Sequence, residues 1–206
     1  MKNMTIWMVR HGETAKNKDH LLQGRSDAPL NSNGQEQAEE ARMYFQENHI
    51  SFDHVISSPL LRALQTAEII TDSKLGIRRD QRLLEMDYGP YEGCSLESPP
   101  EEITYFFQDF VHHPAPEGME SLSSVKERMG SFLEDLKSSE RGNILVTTHA
   151  IALKGALEYL MPESDGAWWS RTISTCAVFK IELDEGRFLA PEEVFHTRKE
   201  CRSVKI

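Results

Sequence analysis

The sequence predicts an α/β fold in three layers, with a mostly parallel central sheet, one antiparallel edge strand and helices on both faces. Three observations carry that prediction. Apolar runs of strand length, Ile6–Val9, His54–Ser57 and Asn143–Thr147, each come before a segment of helical composition, the alternation that lays helices on a parallel sheet. Ile6–Val9 has the length and flanks of a buried strand. Late in the chain, Cys176–Leu183 and Arg187–Ala190 flank Asp184-Glu185-Gly186, a hairpin pattern and so an antiparallel edge.

Taken in order, Ile6–Val9 runs straight into Arg10-His11-Gly12-Glu13-Thr14. A permanent cation, a titratable nucleophile and a glycine thus sit where a strand ends. A polar loop from Lys16 to Asn33 leads to a helix over Gln35–Asn48, rich in Ala, Glu, Gln and Met, all good helix formers. After the His54–Ser57 strand, Ser58 reads as a cap and Pro59 as the preorganised first turn of a helix over Leu60–Thr71. Leu75–Arg79 is a third strand, and Asp80–Ser98, with Gly89, Pro90 and Gly93, a long loop. Helices are expected over Glu101–Val111, Ser121–Ser138 and Ile151–Leu160, the last stopped by Pro162. No repeat or shift in composition divides the chain. Residues 1–206 are therefore expected to form one domain, with residues 80–121 as a cap-like insertion over the site.

Composition narrows the function. At 206 residues, 39% hydrophobic and 27% charged, the chain matches an ordinary globular protein with a substantial core. A net charge of -10 argues against nucleic-acid or anionic-membrane partners. Cys94, Cys176 and Cys201 are odd in number and widely spaced, which suits reduced thiols in the cytoplasm better than a disulfide framework or a zinc site. The N-terminus lacks the apolar core of a signal peptide, and no run reaches the length of a membrane span. His112-His113 has no Cys or carboxylate at ligand spacing, so no metal site is expected.

The chemistry gathers around two histidines. His11 follows the Ile6–Val9 run and its arginine, and His149 follows Ile144-Leu145-Val146-Thr147-Thr148. If both strands are central and parallel, both imidazoles emerge at the carboxyl edge of the sheet, where open α/β sheets bind ligands. Arg62, near the start of the helix after His54–Ser57, faces the same edge beside a helix N-terminus that favours anions. Two fixed, always-charged guanidinium groups, Arg10 and Arg62, suit phosphate better than a neutral ligand. A histidine among them is biased toward its neutral form, with a lone pair free to attack.

Six stretches then occur in one order: RHGET at Arg10–Thr14, Asn17, Gln23–Ala38 (QGRSDAPLNSNGQEQA), Ser57–Ile70 (SSPLLRALQTAEII), Leu83–Gly93 (LLEMDYGPYEG) and Ile144–Ala150 (ILVTTHA). Together they resemble the histidine phosphatase superfamily, with its phosphoglycerate mutase-like fold, in the small bacterial phosphatase branch that includes α-ribazole phosphatases. The resemblance implies that His11 attacks phosphorus and becomes phosphohistidine, that Arg10, Arg62 and His149 hold the phosphoryl oxygens, and that Glu85, enclosed beneath the insertion, is the general acid and base. It further implies that Asn17 and Gln23 line the phosphate pocket and that Gly24 offers a backbone amide. Asp87 and Glu92 are weaker candidates for the acid, and Glu13 reads as structural.

The implied function is hydrolysis of a small phosphomonoester, with no cofactor or metal; the alternative is a phosphoglycerate mutase-type isomerase on the same site. A homodimer is the default assembly. Two residues depart from the pattern: Ala150 follows His149 where many relatives have glycine, and Met119 replaces the second glycine of a GGES-like helix start. Phe106-Phe107 and Trp168-Trp169 read as packing, although Tyr105 or Phe106 could meet an apolar part of the substrate.

Overall fold

The computed structural model describes residues 4–197. Strands β1 (Met4–Arg10), β2 (His54–Ser57), β3 (Ile77–Arg79) and β4 (Gly142–Thr148) pair in parallel, while β5 (Val178–Asp184) lies antiparallel to β1. The far edge of β5 carries β6 (Arg187–Phe188) and β7 (Glu192–Phe195). The order across the sheet is β3-β2-β4-β1-β5-β6. This is the α/β architecture the sequence pattern predicts.

Side chains of β1 alternate between two cores, as a strand buried on both faces requires. Ile6 and Met8 join Ile144 and Val146 in a core closed by helices α5 (Leu122–Ser139) and α6 (Ala150–Leu160). Trp7 and Val9 join Leu145 in a second core under α2 (Ser32–Glu47) and α3 (Leu61–Thr71). The remaining helices are α1 (Ala15–Lys18) and α4 (Glu101–Gln108). Residues 80–121 are seated on the first core through Leu83, Met86, Ile103 and Phe106. Among the described residues no helix is long and apolar enough to cross a membrane.

The helix starts follow capping chemistry. Asn31 caps α2 by accepting from the Gly34 amide at 2.8 Å, three residues earlier than the composition suggests. Ser121 caps α5, accepting from the Ser124 amide at 3.1 Å. Ser58 does not cap α3, whose N-cap Leu60 has no side-chain bond; its hydroxyl is used by the site. Helix α4 stops at Gln108 rather than Val111, because the Asp109 carboxylate turns onto the Val111 and His112 amides, a local alternative to the helix. Strand β7 was not foreseen, since Glu192-Glu193 hides any apolar alternation, and β6 ends at Phe188, short of Ala190.

Register is what builds the site. Arg10 pairs with Thr148 across β1 and β4, and Ser57 pairs with Thr147 across β2 and β4. The ladder runs one step further, with His11 N donating to Thr148 O at 2.9 Å and Ser58 N to Thr147 O at 2.9 Å. Residues 11, 58 and 149 therefore leave the sheet side by side.

Candidate active site

His11 and His149 face each other with ring centroids 5.1 Å apart, both buried. His11 Nδ1 lies 2.7 Å from the Gly12 carbonyl, and Arg62 Nε donates to its Nε2 at 3.2 Å. A carbonyl can only accept and a guanidinium can only donate, so the proton sits on Nδ1 and Nε2 keeps its lone pair. The group that orients His11 is thus its neighbour's backbone carbonyl. Burial first, then the charges of Arg62 and Arg10, hold its pKa well below the ordinary histidine value, against the pull of the Gly12 carbonyl. Gly12 is required here, because a Cβ would run into the Gly34 carbonyl.

His149 Nε2 is 2.7 Å from Ser58 Oγ, while its Nδ1 is buried with no protein partner among the described residues. Burial, Arg62 and His11, in that order, lead the causes that hold its pKa well below the usual value. Ala150 simply opens α6 and is not among the residues with positive φ, so the missing glycine costs nothing there.

Arg62 is fully buried. Besides His11, it donates through Nη1 to Ser26 O at 2.9 Å and through Nη2 to Gly24 O at 2.6 Å, which fixes the fork over the histidine. Burial lowers its pKa to about 10, with the charge of Glu85 the largest opposing influence, so it is a cation at neutral pH. Arg10 ends β1 and donates through Nη1 to Ile173 O, in the segment before β5. Its charge is felt at His11, His149 and Arg62.

Glu85 is 4% exposed. Its carboxylate accepts from the Met86 amide at 2.9 Å and from the Ile151 and Ala152 amides of α6 at 3.2 and 3.1 Å. The helix that begins at His149 thus also seats Glu85. Glu92, one of its rivals, faces elsewhere: it accepts from Gly24 N at 2.9 Å and from Ser26 Oγ, and pairs with Lys16 at 3.5 Å. That overturns one expectation, since the Gly24 amide is taken by Glu92 and it is the Gly24 carbonyl that serves the site, through Arg62. Asp87 is tied to Arg25 at 3.2 Å on the surface.

Gln23 and Asn17 meet at Thr14. Gln23 Oε1 accepts from Thr14 Oγ1 at 2.7 Å, and its Nε2 is buried without a protein partner among the described residues. Asn17 Oδ1 accepts from Thr14 N at 3.1 Å, closing a capping box on α1. Glu13 accepts from Asn31 Nδ2 at 2.7 Å, a structural tie to the α2 cap. Met119 packs on the first core and gives its amide to Pro116 O. Phe106 is buried in the first core, and Tyr105 stacks on His113. The tail Arg198–Arg202, read as a solvated charge run, lies outside the described residues.

A family model of the histidine phosphatase superfamily, branch 1, matches residues 6–192. The chain belongs to that superfamily. It is 31% identical over 202 residues to a protein of Escherichia coli O1:K1 named a probable phosphoglycerate mutase, GpmB, covering 94% of this chain and 92% of the relative. Its fold is similar to that of an alpha-ribazole phosphatase from Shigella flexneri, with a TM-score of 0.78 at 26% identity over 91% of this chain and 94% of the other. It is likewise similar to a mutant phosphoserine phosphatase from Entamoeba histolytica in complex with phosphoserine, with a TM-score of 0.78 at 25% identity over 90% and 94% of the two chains.

Seen as a histidine phosphatase, the chain holds groups near the site that the sequence reading passed over. Ser58 stands where the sequence calls for a helix cap, and the Ile173 carbonyl lies in a stretch with no recognisable pattern. Lys154, one helical turn past the start of α6, is buried, donates to Trp169 O at 2.7 Å and lies over the Phe110 ring. Burial, then the charge of Arg10, lowers its pKa to about 8, against the opposing charge of Glu85. A lysine set between Ala-Ile-Ala-Leu and Gly-Ala-Leu was the available signal.

Proposed function

We propose that this histidine phosphatase hydrolyses small phosphomonoesters through a phosphohistidine on His11. The observation that carries the reading is the pairing of His11 Nδ1 with Gly12 O and of Nε2 with Arg62 Nε, which presents a lone pair beside a cation. A phosphoryl group entering this point takes the Arg62 donor onto one of its oxygens. Nε2 then bonds to phosphorus as the P–O bond to the alcohol breaks. Glu85, as the acid, gives its proton to the leaving oxygen and afterwards takes one from the water that attacks the phosphohistidine, freeing inorganic phosphate. Arg10, Arg62, His149 Nδ1 and Gln23 Nε2 hold the equatorial oxygens, with Asn17 beside them. Since the transition state asks for little covalent help, this positioning and charge do most of the work.

Ser58 serves His149 in the same scheme. If its hydroxyl donates to Nε2, the His149 proton is placed on Nδ1, aimed at the phosphoryl oxygens. Two guanidinium groups supply the positive charge, and among the described residues no three His, Cys, Asp or Glu side chains group as a cation site, so turnover without added metal is proposed. The free thiols of Cys94 and Cys176 fit a cytoplasmic enzyme, with a homodimer as the default assembly. The mutase reading is favoured by the relative named for phosphoglycerate mutase and uses the same site up to the second step.

Purified protein with excess EDTA, given p-nitrophenyl phosphate, phosphoserine and 3-phosphoglycerate in turn, separates the readings. Release of inorganic phosphate, lost in His11→Ala, supports hydrolysis. Conversion of 3-phosphoglycerate to its isomer only when primed with a bisphosphate, without phosphate release, establishes the mutase instead.

A further inference from the structure

Arg128 lies on α5, outside the constellation above, yet its hydrogen bonds converge on the segment that carries Glu85. Nε and Nη2 grip Glu120 Oε1 and Oε2 at 2.8 and 3.1 Å. Nη1 donates to both Arg82 O and Leu84 O at 2.6 Å. The intervening carbonyl, Leu83 O, accepts from Thr148 Oγ1 at 2.8 Å, next to His149. On the other side of Glu85, Glu120 N donates to Asp87 O at 2.8 Å, and Glu120 Oε2 accepts from Asp87 N at 3.2 Å. One ion pair therefore fastens the backbone before and after Glu85. Its side chains are only 15% and 10% exposed, so solvent screens it weakly.

We propose that the Arg128–Glu120 pair is a positioning device for Glu85, setting the distance from its carboxyl group to the leaving-group oxygen. The inference rests on the general-acid reading of Glu85 given above. Neither Arg128 nor Glu120 touches the reacting atoms in this scheme. The physical ground is that proton transfer tolerates little displacement: a misplacement of about 1 Å costs on the order of a hundredfold in rate. Lysine cannot replace Arg128, because an ammonium lacks the planar fork that meets one carboxylate and two carbonyls together.

A misplaced acid has a signature that a general loss of structure does not. Expulsion of a strongly basic oxygen needs the proton, whereas expulsion of weakly basic nitrophenolate needs it little. The test measures kcat/KM across substituted phenyl phosphates, from phenyl phosphate to p-nitrophenyl phosphate, for the wild type, Arg128→Lys, Glu120→Gln and Glu85→Gln. Arg128→Lys and Glu120→Gln should each lose about tenfold or more on phenyl phosphate and less than about threefold on p-nitrophenyl phosphate, part of the general-acid contribution. Equal losses across the series, or none, overturn the positioning role. Should Arg128→Lys not fold by circular dichroism, Glu120→Gln, which keeps an acceptor for the Asp87 amide, decides alone. Glu85→Gln separates the two layers: a flat loss there refutes the general-acid reading, whereas a steep one there with flat losses in the other variants refutes only the positioning.

Discussion

Two neutral histidines packed into one buried site make the folded protein acid-sensitive in a calculable way. Burial and the guanidinium charges hold the pKa of His11 and of His149 well below the ordinary histidine value of 6.5. In the unfolded chain both return to that ordinary value. Below pH 6.5 the unfolded state therefore binds more protons, so stability is whole above that pH and falls as the pH drops. Between pH 7.5 and 5.5 each histidine withdraws about 1.4 kcal/mol, and the pair about 2.7 kcal/mol, provided both stay neutral in the fold. Urea denaturation at the two pH values checks this by comparing the wild type with His11→Gln/His149→Gln. Exposed groups titrate alike in both proteins and cancel. The wild type should lose about 2.7 kcal/mol more than the double variant over this window. Equal losses in the two proteins would show that the histidines are not held neutral, and the electrostatic account of the site would fail.

Two further outcomes follow from the same geometry. Ser58→Ala removes the partner of His149 Nε2 and leaves a buried nitrogen unsatisfied, at a cost of about 1–3 kcal/mol; kcat/KM for p-nitrophenyl phosphate should fall about tenfold to a hundredfold, and an unchanged value would remove Ser58 from the scheme. Arg62→Lys keeps the charge but loses the fork that spans His11, Gly24 O and Ser26 O; a drop of about a hundredfold or more in kcat/KM is expected, and a small change would mean that charge alone suffices.

The parts of this molecule that local chemistry dictates were legible in the sequence. Two apolar runs, each closed by a histidine, carry enough pattern to place both strands, and parallel pairing then brings His11 and His149 to one edge. Arg62 follows because its helix begins four residues after β2 ends. What escaped notice depends on contacts between distant backbone groups, which side-chain patterns do not record. The Glu85 carboxylate is seated by α6 amides, the Gly24 amide is claimed by Glu92, and Arg128 reaches two carbonyls more than forty positions away in the chain. Ser58 was misread for a different reason. A serine before Pro59 at a helix start has an ordinary local use, and only the register of β2 against β4 shows that a histidine competes for its hydroxyl.

The central claim is that His11 Nε2 carries the phosphoryl group during turnover. The direct measurement is rapid acid-free quenching of the protein with a radiophosphate-labelled phosphomonoester, followed by peptide mapping. An acid-labile, base-stable label on the peptide containing His11, absent from His11→Ala, is the predicted result. Phosphate release with no label on that peptide, or release that survives His11→Ala, would contradict the account.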